Sequence, residues 1–299
     1  MNDFKKYCLS FAASLAIAVT GFSASAQTLE DDVIVIPPLF EYVEAPEELP
    51  DLTSKVDYLM DNFWNPFDFK NSTTVDQNAL NHAFSVYTDM IPYATEKKVK
   101  ASVKKLIENI KKNPGLTVQF MKAAEESLYG PRAKFWADEI YMSFLENIIS
   151  NKKVSEGKKK HYRDQYDLMM SSAVGRHLPS FTVKTINGDV YRLNPNGKTR
   201  LVGFITEESD NYKYTNLKLD ISGKVNDMID DHKLEVILVF LNDVQAKNWP
   251  SKWTVLKSAD ASGIMDLRML PSFYILDSDN RIVKKNLNVD AAIDYLELP

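Results

Sequence analysis

The sequence predicts an α+β chain of two parts, a helical bundle followed by an α/β domain with a mixed central sheet. Three observations predict it. From Asp51 to about Ser172 the apolar residues recur at helical spacing. After Gly175 the pattern changes to short apolar runs separated by turn residues. Those runs come in the order hairpin, βαβ, helix, ββα, which makes a mixed sheet with helices on both faces.

Residues 1–26 read as a secretory signal peptide. Lys5 and Lys6 open it, Leu9 to Phe22 form a mostly apolar stretch, and Ala24-Ser25-Ala26 supplies the small residues of a cleavage site. Cleavage is expected between Ala26 and Gln27, which makes the protein periplasmic or secreted. Cys8, the only cysteine, precedes the apolar stretch, so a lipoprotein reading fails and the exported chain carries no thiol.

Residues 27–50 are acidic and proline-rich and read as an extended leader. Residues 51–175 are the helical part. Thr95 is placed to cap a helix whose face is Val99, Val103, Leu106, Ile107 and Ile110, and Asn113-Pro114-Gly115 stops it. Pro131 reads as a helix start, followed by Phe135/Trp136, Ile140/Tyr141, Phe144/Leu145 and Ile148/Ile149. Ser155 is placed to cap a last helix carrying Tyr162, Tyr166, Met169 and Met170. Such helices with short connections make a compact bundle.

Residues 176–299 are the α/β part. Phe181 to Ile186, the turn Asn187-Gly188-Asp189 and Val190 to Leu193 read as a hairpin. Leu201 to Ile205 is a buried strand, Leu217 to Ile229 a single helix despite the unfavourable Gly223, and Leu234 to Leu241 the strongest strand. Phe273 to Leu276, the turn Asp277 to Asn280 and Ile282 to Leu287 form a second hairpin, and Ala291 to Leu296 a closing helix.

With 44% apolar and 26% charged residues, the chain can bury a core without staples. A net charge of −5 argues against a nucleic-acid partner or an anionic membrane surface, each of which calls for a basic face. Beyond the signal, no apolar run approaches the ~20 residues that span a bilayer, so no membrane insertion is expected.

Two segments carry a resemblance. Leu178-Pro179-Ser180-Phe181-Thr182, with the Gly188 hairpin and Asn196-Gly197-Lys198-Thr199, opens the α/β part. Leu270-Pro271-Ser272-Phe273-Tyr274-Ile275-Leu276-Asp277 closes it. Residues 176–299 thereby resemble the thioredoxin-like superfamily, in its branch of secreted TlpA-type thiol–disulfide oxidoreductases and peroxiredoxins. The resemblance implies a cis peptide bond at Leu270–Pro271. The helical part, through Phe63-Trp64-Asn65-Pro66-Phe67-Asp68-Phe69, Tyr87 to Tyr93 and Lys104 to Ile107, is similar to an uncharacterised domain that precedes thioredoxin-like domains in secreted Gram-negative proteins.

The departure is at the chemistry. In that superfamily a CxxC pair sits after the first central strand, where a helix N-terminus lowers a thiol pKa. The matching stretch here is Ile205 to Tyr212, with Ser209 and Tyr212 standing near the two cysteine positions. A serine hydroxyl neither exchanges with a disulfide nor ionises at neutral pH, so thiol–disulfide and peroxidase chemistry are not expected. Ser209, Asp210 and Asn211 read either as a remnant site or as helix caps. As a hydrolytic nucleophile Ser209 would need a base, and His82, His161, His177 and His232 offer none close in sequence.

No metal or cofactor site is expected, since those histidines lack ligand spacing. Gly197-Lys198-Thr199 reads as a turn, because it precedes a strand instead of joining a strand to a helix. Phe63 to Phe69 reads as core or interdomain packing, with an aromatic binding strip as the alternative. The basic run Lys97 to Lys112 is a solvated helix face.

The expectation is an exported, non-redox protein acting as a periplasmic binding or adaptor module for an unidentified protein or peptide. Its groove would be lined by Ser209, Asp210, Asn211, Tyr212, Met269, Leu270, Pro271 and Ser272. The alternatives are an enzyme of non-thiol, hydrolytic chemistry and a purely structural degenerate domain.

Overall fold

A computed structural model describes residues 37–209, 211–242 and 249–297. The expected signal peptide with Cys8, the expected cleavage site and Asp210 therefore lie outside the described residues. The helical part contains α1 (Leu52–Asn62), α2 (Gln77–Asp89), α3 (Glu96–Ile110), α4 (Pro114–Leu128), α5 (Asp138–Ser150) and α6 (Glu156–Ser171). Helix α1 packs on α3, α2 on α4, and α4, α5 and α6 on one another in turn. Leu39, Phe40 and Tyr42, from the proline-rich stretch, pack into the same core.

The caps show why these helices start where they do. Asp51 and Asp76 accept backbone N–H groups at the starts of α1 and α2, from Ser54 at 2.7 Å and Ala79 at 2.8 Å. Asn113 both ends the α3 segment and caps α4, accepting from Gly115 and Leu116, with Pro114 in the first turn. Thr95 stands at the N-cap of α3 but makes no capping bond; its hydroxyl and N–H bind the Asp57 carboxylate at 2.9 and 2.7 Å. The expectation at Pro131 is corrected. Helix α5 starts at Asp138, and the preceding turn is held by Trp136 Nε1, which donates to the Gly130 carbonyl at 3.1 Å.

The α/β part contains β1 (Val183–Thr185), β2 (Val190–Tyr191), β3 (Thr199–Ile205), α7 (Tyr212–Ile221), α8 (Gly223–Asp230), β4 (Leu234–Phe240), β5 (Trp253–Lys257), β6 (Ser272–Leu276), β7 (Ile282–Leu287) and α9 (Val289–Glu297). The sheet order is β2-β1-β5-β4-β3-β6-β7, with β3–β4 and β4–β5 parallel and the other pairs antiparallel. The mixed sheet is as the sequence implies, and Gly188 takes φ +97° in the first hairpin turn, where a side chain would be strained.

Three expectations need correction. The helix read over Leu217 to Ile229 is two helices, broken where the Ser222 hydroxyl accepts the Val225 N–H and caps the second. Between β4 and β6 the described residues hold a strand, β5, and a 3₁₀ turn at Ala261–Gly263 where an α-helix was expected. Among the described residues, the helices of the α/β part cover one sheet face. Residues of α7, α8 and α9 pack with Leu201, Val236, Leu238 and Phe240, while the opposite face is closed by loop residues such as Phe181, Met265 and Leu270.

Gly203, in the central strand β3, lies opposite Phe273. A Cβ there would come within 2.6 Å of the Phe273 ring and 3.1 Å of Leu238. Both side chains are buried, so Gly203→Ala is expected to destabilise the protein by ~1–3 kcal/mol, the cost of overpacking a filled core. Urea unfolding measures this, and an unchanged midpoint would show that the sheet gives way there freely.

Candidate functional site

The sheet register sets the site. Phe204 near the end of β3 lies opposite Ser272 at the start of β6. The loop that follows Ile205 and the 269–271 loop therefore issue side by side from one end of the sheet. The loop after β4 joins them, for Leu241 N–H donates to the Ile205 carbonyl at 3.0 Å and the Asn242 amide donates to both Glu208 carboxylate oxygens at 2.9 and 2.7 Å. Ligands of open α/β sheets bind at this kind of place, outside the carboxyl ends of the parallel strands.

The loop residues differ in what they can offer. Ser209 is half-buried, and its hydroxyl and N–H both donate to the Thr206 carbonyl, at 2.9 and 3.3 Å. That hydroxyl closes a turn and does not cap α7. Asn211 stands at the N-cap of α7 without a capping side-chain bond and is exposed. Tyr212, expected to line the groove, is 8% exposed, with its ring against Phe240 and Trp249 at centroid distances of 6.0 and 6.2 Å. An aromatic at the first position of α7 reaches the core more readily than solvent, because the face of α7 that carries Thr215 and Leu219 points inward.

On the second loop, the Leu270–Pro271 bond is cis, as the resemblance implies. Met269 and Leu270 are half-buried, and Pro271 and Ser272 are buried, Ser272 donating to Asn286 Oδ1 at 3.2 Å. Among the described residues, Glu208, Asn211, Met269 and Leu270 offer surface at this end.

Just before this loop lies a cluster that sequence reasoning missed. Arg268 donates to the Asp266 carboxylate through Nε and Nη2, at 3.1 and 2.7 Å, and to Asp138 of α5 through Nη1 at 2.8 Å. Lys285 of β7 reaches the same two carboxylates at 2.7 and 2.9 Å. The guanidinium lies over the Tyr129 ring at 4.5 Å and the Trp136 ring at 5.5 Å, and the Tyr129 hydroxyl donates to Asp266 at 3.2 Å. Burial alone would raise the Asp266 carboxyl pKa; the Arg268 and Lys285 cations outweigh it and hold that pKa below its ordinary value. The cluster ties helices α4 and α5 to the segment leading into the cis-proline loop.

The histidines stay apart. His82 meets the Tyr42 hydroxyl at 3.1 Å, His161 the Glu125 carboxylate at 2.7 Å and His177 the Asp279 carbonyl at 3.1 Å. No group of three or more potential metal ligands occurs among the described residues. Gly197-Lys198-Thr199 is a turn with Gly197 at φ +78°, leading into β3. No helix among the described residues is long and apolar enough to cross a membrane.

Comparison with known proteins adds the family. Residues 18–172, more than half of the chain, match the model of a domain of unknown function, DUF5106. The chain belongs to this family. The match takes in all six helices of the helical part. Among solved structures, the chain is similar to a thioredoxin-like protein from Bacteroides caccae, with a TM-score of 0.72 over 87% of this chain and 99% of that one, at 16% identity. That likeness shows a thioredoxin-like fold. Two shorter structures also match. One is the C-terminal domain of an uncharacterized protein from Bacteroides fragilis (17% identity, 43% of this chain, 99% of that one, TM-score 0.38). The other is the thioredoxin domain of a thiol-disulfide oxidoreductase from Bacteroides vulgatus (21% identity, 42% of this chain, 96% of that one, TM-score 0.35). No curated protein matches.

Proposed function

We propose that this DUF5106 protein is an exported, non-redox thioredoxin-like module that binds a polypeptide through the loops at the end of β3 and β6. The observation that carries the reading is the side-by-side emergence of those loops, with Glu208 and Asn211 exposed and Met269 and Leu270 half-exposed. Loop backbone beside a sheet end pairs readily with an extended peptide, and methionine adapts to varied apolar partners. The chemistry of the relatives named as oxidoreductases needs two thiols, and one cysteine in 299 residues, placed at Cys8, provides no pair.

The test is site-specific photo-crosslinking in the exported protein. A photoreactive residue at Asn211 or Met269 is expected to capture the same partner, and one at the exposed Lys224, on α8, is expected to capture none. Met269→Arg should abolish capture while leaving the thermal melt nearly unchanged. Capture from Lys224 alone, or equal capture after Met269→Arg, would remove the loops as the binding site. Disulfide reductase activity above a buffer blank would overturn the non-redox part of the reading.

A further inference from the structure

A cavity of about 130 Å³ opens in the helical part, apart from the loops just discussed. Trp64, Phe67, Phe69, Met60 and Leu106 form its apolar walls, and Asp61, Asn65, Ser102, Lys105 and Asn109 its polar ones. Apolar cavities of about 150 Å³ admit a benzene ring, so this one has room for a single small ring. It is not a simple packing defect, since half its lining residues are polar.

Two groups there have a donor to spare, Trp64 and Lys105. Trp64 is 7% exposed, and its Nε1–H has no acceptor among the described residues. Lys105 Nζ donates to the Asp61 carbonyl at 3.3 Å and to Asn65 Oδ1 at 3.0 Å, which leaves a third N–H. The Asn109 amide offers both a donor and an acceptor. The one anion on the wall, the Asp61 carboxylate, is ion-paired to Lys98. Ser102 is already committed, donating to the Met60 carbonyl and accepting from the Tyr87 hydroxyl. A buried donor without an acceptor is costly, and a cation on the wall of the same cavity favours an anionic ligand.

The geometry points to a binding site for a small aromatic carboxylate, its ring against the wall formed by Trp64, Phe67 and Phe69 and its carboxylate at Lys105. This site is independent of the polypeptide-binding reading, because it lies in the helical part and uses none of the loop residues.

Benzoate is the probe, titrated into the exported protein by calorimetry and by tryptophan fluorescence. Benzyl alcohol serves as a neutral analogue of the same size. Benzoate is expected to bind, and benzyl alcohol to bind about tenfold more weakly, because only the carboxylate makes a charge-assisted hydrogen bond. Lys105→Met, at an exposed position that should not disturb folding, is expected to remove that preference by weakening benzoate about tenfold. Trp64→Phe keeps an aromatic wall and removes the N–H; it should weaken benzoate and abolish the fluorescence response. Equal affinity for the two probes, unchanged benzoate binding in Lys105→Met, or no benzoate binding up to about 10 mM would overturn the proposal and leave a cavity that holds only water.

Discussion

Arg268→Ala is expected to lower folding stability by about 3–5 kcal/mol, because it takes the bidentate partner from the buried Asp266 carboxylate and leaves Lys285 to pair with both Asp266 and Asp138. Asp266 is fully buried, and Asp138 relies on the same guanidinium and on Lys285. The alanine variant also loses the stacking of Arg268 on Tyr129 and Trp136. Denaturant unfolding checks the value, and a loss under about 1 kcal/mol would show that the cluster rearranges around water.

The same cluster predicts a pH response. The pKa of the Asp266 carboxyl is held below its unfolded value, so its stabilisation is full above the ordinary aspartate pKa of about 3.9. It is lost as pH falls through the lowered folded value. Asp138 shifts in the same direction: burial raises its pKa, and Arg268 and Lys285 more than offset that. Stability should therefore fall steeply below about pH 4 in the wild type and more gently in Arg268→Ala.

Phe120→Ala is expected to cost about 3–5 kcal/mol. Phe120 is fully buried at the hub of the aromatic core, with ring centroids 5.1 Å from Trp64, 6.0 Å from Phe67, 6.2 Å from Phe69 and 6.3 Å from Phe84. Rings anchored on four sides cannot collapse into the vacated space, so the cavity term adds to the lost transfer energy. Unfolding followed by tryptophan fluorescence measures the loss, and a value below about 1.5 kcal/mol would mean that the aromatic core repacks.

The elements that were legible in the sequence are those specified by neighbouring residues. Asn187-Gly188-Asp189 and Asp277 to Asn280 announce their hairpins by turn chemistry alone, and Leu234 to Phe240 is apolar enough to be a buried strand in any context. The errors fall where a local signal was overruled from afar. Pro131 is a good helix-start residue, but the indole of Trp136 holds its segment as a turn. Strand β5 was missed because Trp253 to Lys257 is a strand chiefly through its pairing with β4 and β1. At the candidate site, the side-by-side loops followed from strand order, whereas the burial of Tyr212 depends on Trp249, distant in sequence. The Arg268 cluster was illegible for the same reason. Its partner Asp138 lies 130 residues away, and nothing near either residue marks them as a pair.

The linker between the helical and sheet parts has a consequence for handling the protein in pieces. Gly175 N–H donates to the Ile282 carbonyl at 2.8 Å, Ile282 N–H to the Arg176 carbonyl at 2.7 Å, and Leu178 N–H to the Asn280 carbonyl at 2.9 Å, with His177 bridged to Arg281. These bonds occupy the outer side of the start of β7, the last strand of the sheet. Trimming the chain at Leu178 to isolate the sheet would strip that cover and bare an unpaired strand edge, the usual starting point for aggregation. A fragment beginning a few residues earlier keeps the edge sealed, so the solubility of the two fragments should differ although they share every strand.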